Sequence, residues 1–434
     1  MAQRLRTNRD HSITIPAQRA AELREHYRSA MFDDVLPFWM KHSLDRENGG
    51  YYSHLGRDGT PFTTDKYTWM NGRQVWMLSH LYNTLEQRPE WLDAARLGAD
   101  FMFEHAFRDD GKMHFRLNSD GVSRSEVLST YSEIFAAIAI AEYSKATAND
   151  SLWDRAICMY DAIMPRLGCG KDTPLLGYPI NAEFHLHAHD MCRITVAEVF
   201  DEIRPDARFR DDLKMSADSI IDRHWKPEMG STPDRGVLLE NVGMDGSPML
   251  DILEGRMFHP GHAIESAWML MEVALKQDDA KLFDTAVDIT LAALNHGWDE
   301  QFGGIRYITN YDWTPTHDLG ADLKLWWPHS EALYALLLSW VCTGRQDLGD
   351  WYTKVHQYVF NHFPDPKHGE WFGYLNRDGS PVWTAKANGW KGCFHLPRVL
   401  YRCYQLLDSI VDGPAAESHS PAARSAESQE GSPS

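Results

Sequence analysis

The chain has 434 residues, of which 43% are hydrophobic, and a formal net charge of −19. This length and apolar content predict one large catalytic domain, and the negative charge argues against nucleic acid or anionic membranes as partners. The segment Met1–Arg9 is polar, and no apolar run approaches the roughly 18 residues of a membrane span, so we expect neither a signal peptide nor a transmembrane helix. The six cysteines form no C-x-x-C pair, which predicts reduced thiols in a cytoplasmic protein.

A short turn motif recurs along the chain. Arg57–Pro61, Met244–Pro248 and Arg377–Pro381 are near-copies of one another, and Ser119–Gly121 and Tyr311–Pro315 are weaker copies. Their aspartates stand at positions 58, 120, 245, 312 and 378. The period is about 64 residues, with one unoccupied slot near position 184, and a fixed period of this kind indicates a repeat architecture. The spacing predicts six units.

Each unit combines a hairpin loop with helices. Gly/aromatic segments such as Gly49–Tyr52 and Gly369–Tyr374 precede the Asp-Gly turns, and we interpret them as small β-hairpins. Apolar residues recur every three or four positions, as in a helix, in Val75–Leu85, Glu133–Thr147, His262–Lys276, Ser330–Val341 and Cys393–Leu407. Six helical pairs closed into a ring predict an all-α (α/α)6 barrel with short β-hairpin loops gathered at one mouth. The alternative is a linear helical solenoid, whose repeats usually run about 34 to 47 residues.

We place the barrel domain at residues 1–412. From 413 to 434 the chain consists mainly of Ser, Ala, Pro and Glu, with almost nothing apolar to bury. A segment of this composition cannot offset its conformational entropy by burial, so we expect a disordered tail.

The repeat also locates a candidate site. Counting 12 to 16 residues from four of the Asp-Gly turns leads to Arg73, Glu133, His262 and His395, and the turn at position 312 leads to Trp326–Glu331. These residues stand at the start of predicted inner helices, at the mouth of the barrel. A buried charge costs several kcal/mol unless it is paired, so packing explains such a ring of charges poorly. The pattern predicts a polar pocket on the barrel axis.

Two histidines of this set suggest a chemistry. His262 and Glu265 lie on one helical face, where the carboxylate can fix the tautomer of the imidazole and raise its basicity. His395 has Arg398 one turn further along. Two histidines on opposite faces of a substrate can exchange a proton at carbon, one removing it and the other returning it. Arg73 is the candidate for stabilising the oxyanion formed between the two steps.

The chain is rich in tryptophan, with 16 indoles. Trp69 and Trp326 stand at or before the start of predicted inner helices. Indole faces beside acids and arginines suit the apolar C–H faces of a sugar, so we predict that these two residues contact a carbohydrate. For any single tryptophan the alternative is packing in the barrel wall.

Five segments in collinear order resemble the N-acylglucosamine 2-epimerase family: Lys66–Trp76, Pro260–Glu265, Lys324–Ala332, Gly369–Leu375 and Lys391–Arg398. The resemblance runs from about residue 25 to 408. It implies an (α/α)6 barrel that interconverts N-acetylglucosamine and N-acetylmannosamine, frequent dimers, and activation by ATP without its consumption. It also implies catalytic roles for His262 and His395. The implied pocket positions are Arg73, Glu265, Trp326 and Glu331.

The chain departs from this family in two places. The segment Ala182–Arg193 is more histidine-rich, and His259 stands where an asparagine is more usual. Both departures border the predicted pocket, so the identity of the substituent at C2 of the substrate is not fixed by the resemblance. His185, His187 and His189 have spacings that can chelate a metal. We favour instead a single protonatable residue at the mouth, His189, and predict no metal site.

The predicted mechanism opens the sugar ring, removes the C2 proton with one histidine, stabilises the enediolate with Arg73, and returns a proton from the other face. It requires neither metal nor nicotinamide. Three alternatives remain. The same bases could act on an unsubstituted mannose- or glucose-type sugar or a disaccharide, as an epimerase or an aldose–ketose isomerase. Glu265 and Glu331 could be the two carboxylates of an (α/α)6 glycosidase. The third alternative is a protein-binding role without turnover.

Overall fold

The computed structural model of the chain describes residues 15–124, 130–167, 183–229 and 236–411. These ranges contain thirteen α-helices, numbered here in chain order. They are α1 (Ala17–Ser29), α2 (Leu36–His42), α3 (Thr68–Thr84), α4 (Pro89–Phe101), α5 (Thr130–Ala146), α6 (Asp150–Ile163), α7 (His187–Ile203), α8 (Ala207–Ser219), α9 (Pro260–Gln277), α10 (Ala280–Gly297), α11 (Trp326–Thr343), α12 (Gln346–His362) and α13 (His395–Val411). The tail predicted for residues 413–434 lies outside the described residues.

Eleven short strands accompany the helices in the same ranges. They are β1 (Lys66–Tyr67), β2 (Arg116–Leu117), β3 (His185–Leu186), β4 (Trp225–Lys226), β5 (Val237–Leu238), β6 (Asn241–Val242), β7 (Met257–Phe258), β8 (Thr309–Asn310), β9 (Lys324–Leu325), β10 (Tyr374–Leu375) and β11 (Pro381–Trp383). They form the antiparallel pairs β1–β2, β3–β6, β4–β5 and β7–β8 and the antiparallel sheet β11–β10–β9. Strands β1, β3 and β9 run directly into α3, α7 and α11, so the short strand pairs that contain them lie at the N-terminal ends of these helices.

Helices α3, α5, α7, α9, α11 and α13 form the inner wall of a barrel. Every residue from Ser132 to Ser144 in α5 and from Trp326 to Ser339 in α11 is buried, as expected for helices surrounded on all sides. The partner helices are amphipathic. In α4, for example, Trp91, Ala94 and Gly98 are buried on one face.

The ring closes between the first and last units. Helix α1 packs on α13, and between α3 and α13 the hydroxyls of Thr84 and Tyr401 are 3.0 Å apart and hydrogen-bonded. The prediction of an (α/α)6 barrel with its hairpins at one mouth is therefore confirmed, and the linear solenoid is wrong. No helix in the described part of the chain is long and apolar enough to span a membrane.

The Asp-Gly turns connect neighbouring units at the mouth. The Oδ1 atom of Asp58 accepts a hydrogen bond from the backbone N–H of Thr60 at 3.0 Å, and Gly59 takes the φ of +85° that this turn requires. The preceding Arg57 reaches Asp365 of the last unit, with Nε 2.8 Å from Oδ2. Asp365 is fully buried and also lies 3.0 Å from the Nζ of Lys386. The ion pair between Arg57 and Asp365 therefore links the first and last units at the mouth.

Candidate active site

His262 lies in the first turn of α9, close to α11. The helix begins at Pro260, and a Cβ on Gly261 would come within 2.7 Å of the Trp327 ring. Glycine therefore allows the start of α9 to approach α11 closely. The Nδ1–H of His262 donates to Oε1 of Glu240 at 2.8 Å. Since a carboxylate can only accept, this bond leaves Nε2 as the nitrogen available for chemistry.

Glu240 supplies the negative charge beside His262. It lies in the turn between β5 and β6 and is buried, and its Oε1 is also 3.5 Å from Nδ1 of His187. Burial favours the neutral acid, but the charges and hydrogen bonds of His262 and His187 outweigh it, so the pKa of Glu240 lies well below its usual range. Burial likewise lowers the pKa of His262, yet Glu240 and the charge of Glu265 overcome this effect and raise the pKa above its ordinary value.

His395 is the first residue of α13, and its environment differs from that of His262. Its Nδ1–H donates to Oε1 of Glu331 at 2.8 Å. The same oxygen accepts from Nη2 of Arg398 at 2.6 Å, and that nitrogen also donates to Oε1 of Glu265 at 2.5 Å. Burial lowers the pKa of His395 well below its ordinary value, and the charges of Arg73 and Arg398 lower it further against the opposing pull of Glu265. His395 is therefore neutral at neutral pH.

The two imidazoles flank one indole. The ring centroid of Trp327 is 5.2 Å from that of His262 and 5.5 Å from that of His395. The side chains of His262 and His395 are 30% and 12% exposed. The arrangement thus places a neutral imidazole near one with a raised pKa. Such a pair can remove a proton on one side of a substrate and supply one on the other.

Arg73, on α3, lies in an aromatic cage beside this pair. Its guanidinium carbon is 4.1 Å from the ring centroid of Phe135, 4.4 Å from that of Trp69 and 4.7 Å from that of Phe394. Burial lowers its pKa to about 9, so it remains a cation at neutral pH. Within the described ranges, its buried Nε has no hydrogen-bond partner. A desolvated cation with unused donor capacity is suited to a developing oxyanion.

Most of the predicted site residues come together. His395, Glu265, Glu331 and Arg398 form one hydrogen-bonded network, and the ring of Trp326 lies 6.5 Å from that of His395. His262 is linked to this network through Trp327, which neighbours both imidazoles. Arg73 joins them through its charge, and Trp69 joins them through its contact with Arg73.

Three predictions about individual residues need correction. The carboxylate that binds His262 is Glu240 rather than Glu265, because Glu265 is engaged by Arg398. Glu133 is not brought into the network, because its carboxylate accepts from Arg166 at the end of the second helix of its unit.

The third correction concerns His189. Burial, with the nearby charges of His185 and Arg193, lowers the pKa of His189 to about 4. It is therefore not the protonatable group at neutral pH that the sequence suggested.

Glu240 and Trp327 were not predicted as individual site residues. Glu240 interrupts the mainly apolar segment Val237–Val242, and a single acid in such a segment was the available signal. Trp327 lies in the segment Trp326–Glu331 that the repeat locates, but no separate role was predicted for it.

Among the residues that the structure describes, three groups of imidazoles and acids lie close enough to share a cation: His185, Asp190 and His224; His187, Glu240 and His262; and Glu265, Glu331 and His395. In the first, Nδ1 of His185 is 2.9 Å from Nε2 of His224, whose Nδ1–H donates to the carbonyl of Leu239 at 2.8 Å. In the third, the Arg398 guanidinium already binds both carboxylates. Direct hydrogen bonds and ion pairs thus account for these contacts, and the absence of a metal remains a prediction.

Comparison with known proteins identifies a family that matches this chain. The model for N-acylglucosamine 2-epimerase matches residues 50–397. The chain is 36% identical over 400 residues to N-acylglucosamine 2-epimerase of Mus musculus, covering 90% of this chain and 94% of the relative. It is 23% identical over 410 residues to cellobiose 2-epimerase of Bacteroides fragilis, covering 89% and 98%. The structure of cellobiose 2-epimerase from Spirochaeta thermophila shares the fold, with a TM-score of 0.76 and 19% identity over 91% of this chain and 98% of that one.

Proposed function

Because the chain belongs to the N-acylglucosamine 2-epimerase family, we propose that it interconverts N-acetyl-D-glucosamine and N-acetyl-D-mannosamine by proton transfer at C2. One observation carries the chemistry. His262 and His395 flank the same indole, each with Nδ1 2.8 Å from a carboxylate, and their pKa values shift in opposite directions. The protein is thus an isomerase of the carbohydrate epimerase class, and the chemistry of its bases needs no cofactor.

The mechanism begins with ring opening, which exposes a C1 aldehyde that acidifies the C2 proton. His395 is neutral at neutral pH and removes this proton. The electron pair passes to the C1 oxygen, and the positive charge of Arg73 stabilises the resulting enediolate. His262, in its protonated form, delivers a proton to the opposite face of C2, and the ring closes. The reverse reaction uses the same groups in the opposite protonation states.

The substrate assignment rests on the relatives. Identity to the mouse N-acylglucosamine 2-epimerase is 36%, against 23% for the cellobiose 2-epimerase of Bacteroides fragilis. This difference supports an N-acylated hexosamine over a disaccharide. The histidine-rich start of α7 and His259 are the two departures from the family pattern. They are the reason to test one alternative, an epimerase or aldose–ketose isomerase for an unsubstituted mannose- or glucose-type sugar.

A glycosidase mechanism fits the contacts poorly. It would require Glu265 and Glu331 to lie on either side of a glycosidic bond, one as an acid and the other as a base or nucleophile. A single nitrogen of Arg398 binds both carboxylates, at 2.5 and 2.6 Å. Both acids are therefore occupied by the same cation rather than directed at opposite sides of a substrate.

Incubation with single sugars in D2O tests the proposal. N-acetylglucosamine, N-acetylmannosamine, glucose, mannose and cellobiose are supplied separately, and deuterium is located by NMR. We expect incorporation at C2 of both N-acetyl sugars, with appearance of the other epimer. Incorporation with unsubstituted sugars alone would assign such a sugar as the substrate. Deuterium at C1 of a newly formed ketose would indicate an aldose–ketose isomerase, and release of glucose from cellobiose would indicate hydrolysis.

On the family resemblance we also propose a cytoplasmic homodimer with ATP as an allosteric activator that is not consumed. Light scattering at several protein concentrations tests the dimer. An ATP titration of the epimerisation rate, with ATP recovery measured afterwards, tests the activation. Activity that is independent of ATP, or hydrolysis of ATP during turnover, would contradict the second proposal.

A further inference from the structure

His259 lies face to face with the imidazole of His262. The two ring centroids are 4.2 Å apart and the planes differ by 21°. His259 stands immediately before Pro260, at the start of α9, so the two rings belong to adjacent turns of one rigid element. No role in the chemistry described above requires this residue.

The surroundings hold His259 in this position. Its ring meets the edge of Tyr307 at 4.8 Å with an interplanar angle of 90°, and its centroid lies 5.0 Å from that of Trp327. The residue is 4% exposed, and its Nδ1 has no hydrogen-bond partner among the described residues. The ring is therefore fixed by packing against aromatic neighbours, and it covers one face of His262.

The stack also has an electrostatic consequence. The ionisable groups around His259 are His262, Glu240, His187 and Tyr307, and two stacked imidazoles repel each other if both carry a proton. Burial, followed by the charge of His262, lowers the pKa of His259 well below its ordinary value. Since Glu240 hydrogen-bonds His262 and not His259, the proton belongs on His262.

We propose that His259 is a positioning residue for His262: its neutral ring fixes the plane of the reacting imidazole and keeps water from one of its faces. The inference rests on the proposed function, because it assigns His262 as one of the two proton-transfer groups. The positioning role requires an aromatic ring at position 259. It does not require residue 259 to gain or lose a proton.

Two substitutions separate these requirements. His259→Phe retains a flat ring without a titratable group, whereas His259→Asn removes the ring and admits water. We expect kcat of the Phe variant to remain within about threefold of the wild type, and kcat of the Asn variant to fall about tenfold or more with little change in KM. His356→Asn is the matched control, because the half-buried ring of His356 is also packed among aromatic side chains, 4.6 Å from Phe360 on α12.

The pH dependence gives a second readout. Burial lowers the pKa of His262, so water admitted by His259→Asn raises it. The limb of the kcat/KM profile that belongs to His262 then moves to higher pH, while the limb of His395 stays in place. The same limb is unchanged in His259→Phe and in His356→Asn. An Asn variant with wild-type kcat and an unmoved limb would overturn the proposal, and so would a Phe variant as impaired as the Asn variant.

Titration of the His262 imidazole by NMR without substrate distinguishes this inference from the proposed function. The resonance is assigned by its loss in His262→Asn. If no sugar exchanges deuterium at C2 but the pKa of His262 still rises in His259→Asn and not in His259→Phe, the function fails and the positioning role stands. If exchange occurs and the pKa of His262 is equal in all three proteins, the positioning role fails and the function stands.

Discussion

The surroundings of His262 and His395 differ in one decisive respect. Both imidazoles donate Nδ1–H to a buried carboxylate at the same distance, 2.8 Å. The carboxylate of Glu240 has only imidazoles as its described ionic partners, whereas that of Glu331 is also bound by Arg398. At His395 the positive charges of Arg73 and Arg398 act in the same direction as burial and the pKa falls, whereas at His262 the charge of Glu240 outweighs burial and the pKa rises. The same type of hydrogen bond is thus accompanied by opposite pKa shifts, because the charges around the two rings differ.

Removal of one imidazole should have the largest effect. In His262→Asn we expect epimerisation to fall about 10²- to 10⁴-fold, because one of the two proton-transfer groups is lost. The epimer that presents its C2 hydrogen to His395 should nevertheless continue to exchange with D2O, since His395 can remove and return the proton on its own side. Single-epimer exchange by NMR is the measurement, and His356→Asn is the control. Loss of exchange from both epimers would contradict two separate one-sided bases.

Removal of the Arg398 guanidinium should reduce the difference in pKa between His262 and His395. In Arg398→Met the negative charge of Glu331 is no longer balanced, so the pKa of His395 should rise toward that of His262, and kcat at neutral pH should fall. Breaking this buried ion pair should also cost about 3–5 kcal/mol of unfolding free energy. Arg402→Met is the matched control, because Arg402 lies one turn further on α13 and binds the buried Glu272.

Both variants should lose stability in denaturant unfolding, but only Arg398→Met should move the titration of His395. Equal displacement of that titration in the two variants would assign the effect to loosened packing rather than to the balancing charge.

Replacement of Glu240 should act on the pKa of His262 rather than on that of His395. Glu240→Gln keeps a hydrogen-bond acceptor but removes the charge, so the pKa of His262 should fall. The raised pKa of the wild type means that the folded state binds this proton more tightly than the unfolded chain. The resulting stability is present below the unfolded pKa, about 6.5, and is lost as pH rises through the folded pKa. The variant should therefore lose more unfolding free energy at about pH 5.5 than at about pH 9, and an equal loss at both would contradict the assignment.

Replacement of Glu133 should have the smallest effect on the rate of epimerisation. The carboxylate of Glu133 is engaged by Arg166 rather than by His262 or His395. In Glu133→Gln we expect kcat and KM to change by less than about twofold and the unfolding free energy to fall by up to about 1 kcal/mol. Steady-state kinetics on the epimerisation provide the test. A tenfold rise in KM would return Glu133 to the substrate pocket predicted from the repeat.

Much of the fold was predictable because its markers are local. Each Asp-Gly turn needs only a glycine at positive φ and an aspartate that accepts a nearby backbone N–H, as at Asp58 and Gly59. One of the six predicted units has no recognisable Asp-Gly motif, and its inner helix is α7. The packing of α1 on α13 was not predictable, because it joins segments almost 400 residues apart.

The site was predictable only in part, for a related reason. His262 and His395 stand at a fixed spacing from a local turn, so the repeat locates them. Glu240 comes from the turn between β5 and β6, and its direction depends on the pairing of β6 with β3, more than 50 residues earlier in the chain. Glu133 shares the repeat position but is engaged by Arg166. Sequence register thus predicts which helix end a residue occupies, and long-range contacts decide which partner its side chain finds.

The chemistry proposed for the two imidazoles depends on their pKa values being shifted in opposite directions from the ordinary histidine value. Both rings can be titrated by heteronuclear NMR in the unliganded protein, with assignments from His262→Asn and His395→Asn. We expect His262 to titrate above the ordinary histidine value and His395 to stay neutral until well below it. Equal pKa values for the two rings, or a higher value for His395, would rule out this division of roles.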